Sequence, residues 1–196
     1  MLALIMAGGK GRRLGINGVE KPLLEFKGVP FIARVHTALV RSRIDDVIVV
    51  TSPNTPRTTQ WAENSNIKVI TAPGEGYIRD YGWAIKRLRL RGPVLIVSAD
   101  LPLITDQVID RIIDCHAESQ RPALTVCVPD ELYKATKRIP DLTVETGHKV
   151  LIPVGVNVVD GDLIDDVQEE AILVIRDEAL LYNINRRADL ERLPRE

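Results

Sequence analysis

Residues 2–15, LALIMAGGKGRRLG, carry the strongest indication of the fold of this chain. The first five, Leu2–Met6, form a continuous apolar run, which is typical of a strand buried on both faces. The run leads directly into a glycine-rich loop at residues 7–15. Glycines let successive backbone N–H groups converge on an anion without hindrance from a Cβ atom. The strand and loop together predict a phosphate-binding site at the end of a buried strand.

Positive charge is interleaved with the glycines of this loop. Lys10, Arg12 and Arg13 supply charge-assisted hydrogen-bond donors for phosphate oxygens. A plain solvent-exposed turn is the alternative, but three glycines among residues 8–11, next to three cations, disfavour it. The residues predicted to bind the phosphates of a nucleotide are Ala7, Gly8, Gly9, Lys10, Gly11, Arg12 and Arg13.

Two common glycine-rich loops do not fit this segment. A Walker A loop needs Gly-Lys followed by Ser or Thr, which the segment lacks. The dinucleotide-binding fingerprint, started at Gly9 and Gly11, needs a third glycine at the position of Leu14. Leu14 therefore also disfavours a nicotinamide-dependent oxidoreductase.

Outward from the loop, short apolar runs alternate with amphipathic segments. Strands are predicted at Leu2–Met6, Asp46–Thr51, 66–71, 94–98 and 123–128, and helices at Phe31–Arg41, 55–64, 77–90 and Asp106–Ser119. This alternation predicts a three-layer, Rossmann-like α/β fold with a mostly parallel central sheet and helices on both faces. Ligands of such sheets bind beyond the carboxyl ends of the strands. The loops after Met6, Val50 and Ser98 should therefore meet at one rim.

The length of 196 residues predicts a single domain over residues 1–196. Beyond Pro129 the polar residues 130–149 show no clear period, while 150–159 is apolar and extended. A strand is predicted at 171–175 and a short C-terminal helix at 185–193. We interpret residues from about 130 to 165 as a β extension that serves the acceptor substrate or a dimer contact, with a purely structural extension as the alternative. The apolar segment 150–159 favours a homodimer.

The composition excludes several classes of protein. The 26 Lys and Arg residues balance 27 Asp and Glu residues, so no large basic field is available to bind nucleic acid. No apolar run reaches the length of a membrane span, and the N-terminus lacks the basic region of a signal peptide. Cys115 and Cys127 lack metal-site spacing and are interpreted as free thiols. We therefore expect a cytoplasmic protein.

A lysine followed by proline stands shortly after the glycine loop, in Glu20-Lys21-Pro22. The proline restricts the backbone, so Lys21 should be held in place. A positioned ammonium group could neutralise an α-phosphate during nucleophilic attack. A surface lysine is the usual explanation of such a pair, but its place after the glycine loop strengthens the catalytic interpretation.

Asp100 follows a predicted strand and should lie on the same rim as the glycine loop. Mg²⁺ in proteins is bound by one or two carboxylates together with phosphate oxygens and waters. We therefore predict Asp100 as a Mg²⁺ ligand, because Thr105 and Asp106 are better placed to cap the next helix. Asn185 could serve both as an N-cap and as a metal ligand, whereas Asp189, in the first turn of that helix, should be structural.

The base of the nucleotide should be recognised by the loops after the second and third strands. A nucleotide base presents N–H donors, which need acceptors such as backbone carbonyls. The residues predicted to contact the base or the ribose are Thr51, Ser52, Asn54, Gly74 and Gly76. The first three are equally compatible with a simple helix start, with Asn54 or Thr55 as N-cap and Pro56 just inside the helix.

Four motifs in this order resemble the nucleotidyltransferase family: AGGKGRRLG at 7–15, EKPLLEFKGVPFI at 20–32, SADLPLI at 98–104 and NINRRADL at 183–190. The family includes sugar-phosphate and molybdenum-cofactor nucleotidyltransferases. The resemblance implies that the glycines cradle a triphosphate, that Arg13 contacts the pyrophosphate and that Lys21 contacts the α-phosphate. It further implies that Asp100 holds the metal and that Asn185 is the second polar ligand.

Three further segments, TSPNTPRT at 51–58, GEGYIRDY at 74–81 and IPVGVNVV at 152–159, are similar to a subgroup of that family. This subgroup comprises the archaeal guanylyltransferases of cobalamin (cobamide) synthesis. The similarity implies GTP and adenosylcobinamide phosphate as substrates, and adenosylcobinamide-GDP and pyrophosphate as products. Gly155 and Asn157 match the acceptor side of the site, together with Asn185.

The implied acceptor is already a phosphate, so its oxygen is ionised and nucleophilic at neutral pH without a general base. No role is assigned to His36, His116 or His148. Catalysis should then depend on positioning and charge neutralisation. The predicted catalytic residues are Lys21, Arg13 and Asp100.

Two alternatives remain at this point. The first is another nucleotidyltransferase, whose acceptor is a sugar phosphate, methylerythritol phosphate or the molybdenum cofactor. The second is a nucleotide-binding module without turnover. Such a module needs the glycines but not the metal carboxylate, so the presence of Lys21 and Asp100 beside the loop disfavours it.

Overall fold

The structure is a computed structural model, which describes residues 1–11, 14–15, 18–136, 140, 142–147 and 149–193. The strands over these residues are β1 (Leu2–Met6), β2 (Glu25–Phe26), β3 (Val29–Pro30), β4 (Asp46–Thr51), β5 (Lys68–Thr71), β6 (Pro93–Ser98), β7 (Ala123–Pro129), β8 (Val144–Thr146), β9 (Lys149–Asp160) and β10 (Glu170–Val174). Eight of them form one sheet in the order β10-β7-β9-β6-β1-β4-β5, with β8 paired to β9, and β2 and β3 form a separate hairpin.

Helices cover both faces of the main sheet. They are α1 (Phe31–Arg41), α2 (Pro56–Asn64), α3 (Tyr77–Leu88), α4 (Asp106–Ser119), α5 (Asp130–Ala135) and α6 (Arg187–Leu190). Short 3₁₀ helices occupy Lys21–Leu23, Gly161–Leu163 and Glu178–Leu181. No α-helix within the described ranges is long and apolar enough to cross a membrane.

Strand β1 shows why the apolar runs of this sequence are continuous. Successive side chains of a strand point to opposite faces of the sheet. Ala3 and Ile5 pack into the cluster that includes residues of α1 and α4, whereas Leu4 and Met6 pack into the cluster that includes residues of α3. All four side chains are buried, so both faces of the strand must be apolar.

The mostly parallel sheet predicted from the sequence is confirmed. β1 pairs in parallel with β4 and β6, and β10 pairs in parallel with β7. β9 pairs antiparallel with both β6 and β7. The insertion of β9 between them brings its residues 156–160 beside β6, the strand that leads to Asp100.

Several predicted boundaries agree with the structure, including those of β1, α1, β4 and α4. The helix predicted at 77–90 instead ends at Leu88, because Arg89 adopts a left-handed conformation with a φ of 54°. The C-terminal helix predicted at 185–193 was too long. It spans only Arg187–Leu190, and it begins after Arg186 because the N–H groups of Asn185 and Arg186 donate to the side chain of Asp189.

The segment 130–149, which showed no clear period, contains regular structure. α5 covers Asp130–Ala135, and β8 pairs with β9 through Val144 and Leu151. Neither element was predicted, because they are only six and three residues long and too short to show a period. The role predicted for the extension at about 130–165, in acceptor binding or a dimer contact, stays a prediction.

Candidate active site

A cavity of about 440 Å³ lies at the carboxyl ends of β1, β4 and β6. This is the rim at which the sequence analysis placed the ligand. The cavity is lined by Met6, Ala7, Gly8, Gly9, Lys10, Gly11, Lys21, Pro22, Val50, Asn54, Gly74, Glu75, Gly76, Tyr77, Asp80, Ser98, Ala99, Asp100 and Asn185. Most of the predicted nucleotide-binding residues and both predicted metal ligands therefore share one cleft.

The glycine loop is held against the loop that follows β4. Ser52 Oγ donates a hydrogen bond of 2.7 Å to the carbonyl of Gly8. A Cβ atom on Gly8 would lie 2.9 Å from the Cβ of Ser52, so only glycine fits this close approach. Gly9, in contrast, has open space where a Cβ would stand, among the described atoms, so its backbone faces the cleft. Arg12 and Arg13 lie outside the described residues.

Lys21 joins the two predicted metal ligands, which are far apart in the sequence. Its ammonium group forms an ion pair with Asp100 Oδ2. It also donates a hydrogen bond of 2.8 Å to Asn185 Oδ1. The Lys21 and Asp100 side chains are only 17% and 8% exposed, so water screens their interaction weakly. Asn185 Nδ2 in turn donates to Asn183 Oδ1 over 2.8 Å, which fixes the amide orientation.

Asp100 retains acceptor capacity at the cleft. Within the described residues its Oδ1 is buried and accepts no hydrogen bond. A buried carboxylate oxygen without a donor is costly unless a ligand satisfies it. The described part of the chain has no cluster of three or more His, Cys, Asp or Glu residues that could hold a metal by themselves. The donor set thus fits Mg²⁺ that takes most of its ligands from phosphates and water.

The predicted cap of the next helix is confirmed, which leaves Asp100 for another role. The Thr105 side chain accepts from the N–H of Val108 at 3.3 Å and caps α4. Asp189 is structural, as expected, because its Oδ2 accepts from the N–H groups of Asn185 and Arg186 at 2.8 Å each. The carboxylate therefore holds the backbone that presents the Asn185 amide to Lys21.

Asp80, which the sequence analysis did not single out, organises the loop before α3. Its Oδ1 accepts from the N–H groups of Gly74 and Glu75 at 3.0 Å each, and its Oδ2 accepts from Gly76 N–H at 3.3 Å. Asp80 is only 5% exposed. All three N–H groups therefore bind Asp80 and are not available to a ligand, and the carbonyl of Gly76 accepts from the N–H of Asp80 at 2.8 Å.

The loop after β4 contributes one side chain to the cleft. Asn54 lines the cleft, and its Nδ2 donates to Ser52 Oγ over 3.0 Å. Ser52 and Thr51 are buried behind the loop and do not line the cleft. Thr51 instead interacts with Thr59 Oγ1 at 2.8 Å. The structure therefore places Thr51 and Ser52 as supports of the loop rather than at the cleft surface.

Gly155 and Asn157, predicted on the acceptor side, lie on β9 just behind the cleft and do not line it. Tyr77, which the sequence analysis missed, stands between them and the cleft. Its hydroxyl donates to the carbonyl of Gly155 over 3.2 Å and accepts from Asn157 Nδ2 over 3.3 Å. Desolvation raises the pKa of the Tyr77 phenol far above its ordinary value, so the group stays neutral. Gly155 has a φ of 79° and packs against Ser98 at the end of β6.

Glu20 is a further residue of the site that the sequence analysis quoted only as the neighbour of Lys21. Its carboxylate accepts from the N–H groups of Arg57 and Thr58, at 2.8 and 2.6 Å. It thereby binds the N-terminus of α2. Thr55 and Pro56 indicated in the sequence that a helix begins here. They did not indicate that the acceptor for its first N–H groups is a carboxylate distant in the sequence.

The family model and the related proteins that match this chain are all nucleotidyltransferases. Residues 3–195 match the MobA-like NTP transferase domain family. An adenosylcobinamide-phosphate guanylyltransferase from Methanocaldococcus jannaschii is 37% identical over 201 aligned residues, which cover 97% of this chain and 94% of that protein. A molybdenum cofactor guanylyltransferase from Pseudomonas aeruginosa is 30% identical over 131 residues, which cover 63% of this chain and 61% of that protein.

A solved structure supports the same fold. The structure of CMP:2-keto-3-deoxy-manno-octonic acid synthetase, complexed with CTP, superposes with a TM-score of 0.69. The match covers 98% of this chain and 95% of that chain, at 13% sequence identity. At this identity the similarity demonstrates a shared fold and nothing about the substrate.

Proposed function

The chain belongs to the family of MobA-like NTP transferase domains, and we propose that it is a guanylyltransferase that transfers GMP from GTP to adenosylcobinamide phosphate. The products would be adenosylcobinamide-GDP and pyrophosphate, in cobalamin synthesis. The observation that carries the proposal is the Lys21–Asp100–Asn185 cluster beside the glycine loop in one cleft. The near full-length similarity to the archaeal enzyme supports this choice of substrates.

The loop organised by Asp80 supports guanine as the base. Guanine carries N1–H and N2–H₂ donors on its pairing edge, and these need acceptors. Because the N–H groups of this loop already bind Asp80 and the Gly76 carbonyl accepts from Asp80 N–H, the backbone acceptors left for the base would be the carbonyl oxygens of Gly74 and Glu75. Adenine, which has an acceptor at N1, would be less well satisfied there.

The transfer itself needs little from the protein beyond position and charge. An ionised oxygen of the acceptor phosphate attacks the α-phosphorus of GTP and forms a new P–O bond. The bond between the α-phosphorus and the bridging oxygen to the β-phosphate breaks, and its electron pair leaves with pyrophosphate. Lys21 stabilises the charge on the α-phosphate, and the glycine loop binds the phosphates that leave. No proton has to be removed from the acceptor.

We further propose Mg²⁺ as the cofactor, with Asp100 and Asn185 as the residues that would hold it. The unsatisfied buried Oδ1 of Asp100 supports this assignment. When bound, Mg²⁺ would neutralise charge on the triphosphate and on the leaving pyrophosphate. The ammonium group of Lys21 contacts Asp100 and Asn185, so it lies at a position where positive charge is favoured.

The decisive experiment measures pyrophosphate release by the purified protein with Mg²⁺. GTP with adenosylcobinamide phosphate should support turnover, whereas CTP, UTP or ATP with the same acceptor should not. Parallel reactions pair each nucleotide with a sugar phosphate, methylerythritol phosphate or the molybdenum cofactor. Turnover with one of these acceptors, and none with adenosylcobinamide phosphate, would contradict the proposed acceptor while leaving the reaction class intact.

We also propose that the protein forms a homodimer through its late strands. Val150, Ile172 and Val174 are exposed by 37–39% on β9 and the edge strand β10, and such apolar surface is unusual for a solvated edge. Light scattering should give a mass of two chains, and Ile172→Glu should reduce it towards one. A monomeric mass for the unsubstituted protein at micromolar concentration would rule the dimer out.

A further inference from the structure

We propose that Glu20 is a positioning residue that sets the place of Lys21 by binding it to the start of helix α2. The Glu20 carboxylate receives three hydrogen bonds from α2: the N–H of Arg57, the N–H of Thr58 and the hydroxyl of Thr58. Their lengths are 2.8, 2.6 and 2.6 Å, in that order. Thr58 is fully buried and Glu20 is half-buried, so the two bonds from Thr58 are partly shielded from water, whereas the bond from Arg57 N–H is exposed.

Helix α2 depends on this distant carboxylate because its own N-cap is used elsewhere. Thr55 stands at the N-cap position, but its side chain makes no capping hydrogen bond. Its Oγ1 instead accepts from the N–H of Ser52 at 3.2 Å. The first N–H groups of a helix need acceptors, and a carboxylate also interacts favourably with the helix dipole. Glu20, 37 residues before Arg57, fills this requirement.

The connection from Glu20 to the ammonium group of Lys21 is short and stiff. Lys21 begins a 3₁₀ turn in which the N–H of Leu23 donates to the carbonyl of Glu20 at 2.9 Å. Pro22, inside the turn, is buried and has a restricted φ. On the other side, Arg57 Nη1 donates to the carbonyl of Gly18 at 3.0 Å. Binding at Glu20 therefore fixes the backbone from which the lysine side chain extends.

The same contact joins two walls of the cleft. The start of α2, which Glu20 binds, is continuous with the loop that carries Asn54, and Lys21 directly follows Glu20 in the chain. A displacement of a catalytic group by about 1 Å can reduce a rate on the order of a hundredfold. Loss of the Glu20 carboxylate should therefore act on turnover, although Glu20 itself does not line the cleft.

The inference rests on the proposed function of Lys21, and turnover of GTP with adenosylcobinamide phosphate tests it. Glu20→Ala should lower kcat on the order of 10- to 100-fold, with the KM for GTP close to that of the unsubstituted protein. Glu20→Gln keeps one carbonyl acceptor and should restore part of kcat. Thr105→Ala is the matched control, because it removes the cap of α4. It should lower the melting temperature without lowering kcat.

A double-substitution cycle separates positioning from general destabilisation. With Lys21→Ala as background, adding Glu20→Ala should lower kcat little further, because the group that Glu20 positions is already gone. Equal factors in both backgrounds, or an unchanged kcat in Glu20→Ala alone, would overturn the positioning role. Normal turnover by Lys21→Ala would instead contradict the proposed function of Lys21. The failure of that function can therefore be distinguished from failure of the positioning role of Glu20 alone.

Discussion

Replacement of Lys21 by methionine should separate the stability of the site from its activity. The substitution removes the ammonium group and keeps most of the apolar side-chain stem. It leaves Asp100, whose side chain is only 8% exposed, without its ion-pair partner. Breaking a buried pair costs about 3–5 kcal/mol, and we expect the lower end, about 3 kcal/mol, because Lys21 is 17% exposed. For a chain of this size, that corresponds to a fall of about 6–12 °C in Tm.

The companion variant carries Asp100→Asn in addition to Lys21→Met. It removes the uncompensated buried charge, so most of the lost stability should return. Turnover should not return, because the group that neutralises the α-phosphate is still absent. Both variants should lose about 100-fold or more in kcat, the scale for removing one preorganised charged group.

Calorimetry and pyrophosphate release on the two variants provide the test. Turnover of GTP by Lys21→Met at a rate within a few-fold of the unsubstituted protein would contradict the catalytic role of Lys21. That role is also refuted if the double variant regains activity together with stability, since activity would then follow folding rather than charge.

Three other outcomes follow from individual contacts. Gly8→Ala should lower stability by about 1–3 kcal/mol, measured by urea unfolding, because its Cβ would lie 2.9 Å from that of Ser52. Asp80→Ala should reduce the ratio of GTP to ATP affinity in calorimetric titrations, because it frees the three N–H groups of its loop; an unchanged ratio would contradict the assignment of the base. Burial raises the pKa of the Cys127 thiol to about 11. At pH 8 a thiol reagent should therefore modify only the half-buried Cys115 in the native protein. After denaturation the reagent should modify both cysteines.

The part of the site that lies at the ends of strands could be predicted from the sequence. Asp100 follows an apolar strand, and the carboxyl ends of parallel strands meet at one edge, so its presence beside the glycine loop could be inferred. The separate roles of Ser52 and Asn54 could not be inferred, because both stand in the same short loop. Only packing against Gly8 decides which of them turns inwards.

Residues that act through distant partners were the ones that sequence reasoning missed. Asp80 and Glu20 each look like an ordinary surface acid in their local sequence. Asp80 binds a loop within six residues, but its burial arises from the position of α3 on the sheet. Glu20 binds a helix 37 residues away, and no periodicity of the chain connects the two.

The layered α/β fold, the glycine loop and the rim at which Lys21 and Asp100 lie could be predicted from the amino-acid sequence. These features follow from local periodicity and from the rule that ligands bind at strand ends. In contrast, the antiparallel course of β9 between β6 and β7, and the contact of Asn185 with the Lys21 ammonium group 164 residues away, are known only from the folded chain. The direction of an added strand and the partner of a buried charge depend on packing between segments. Each segment is compatible with several partners until the whole core is assembled.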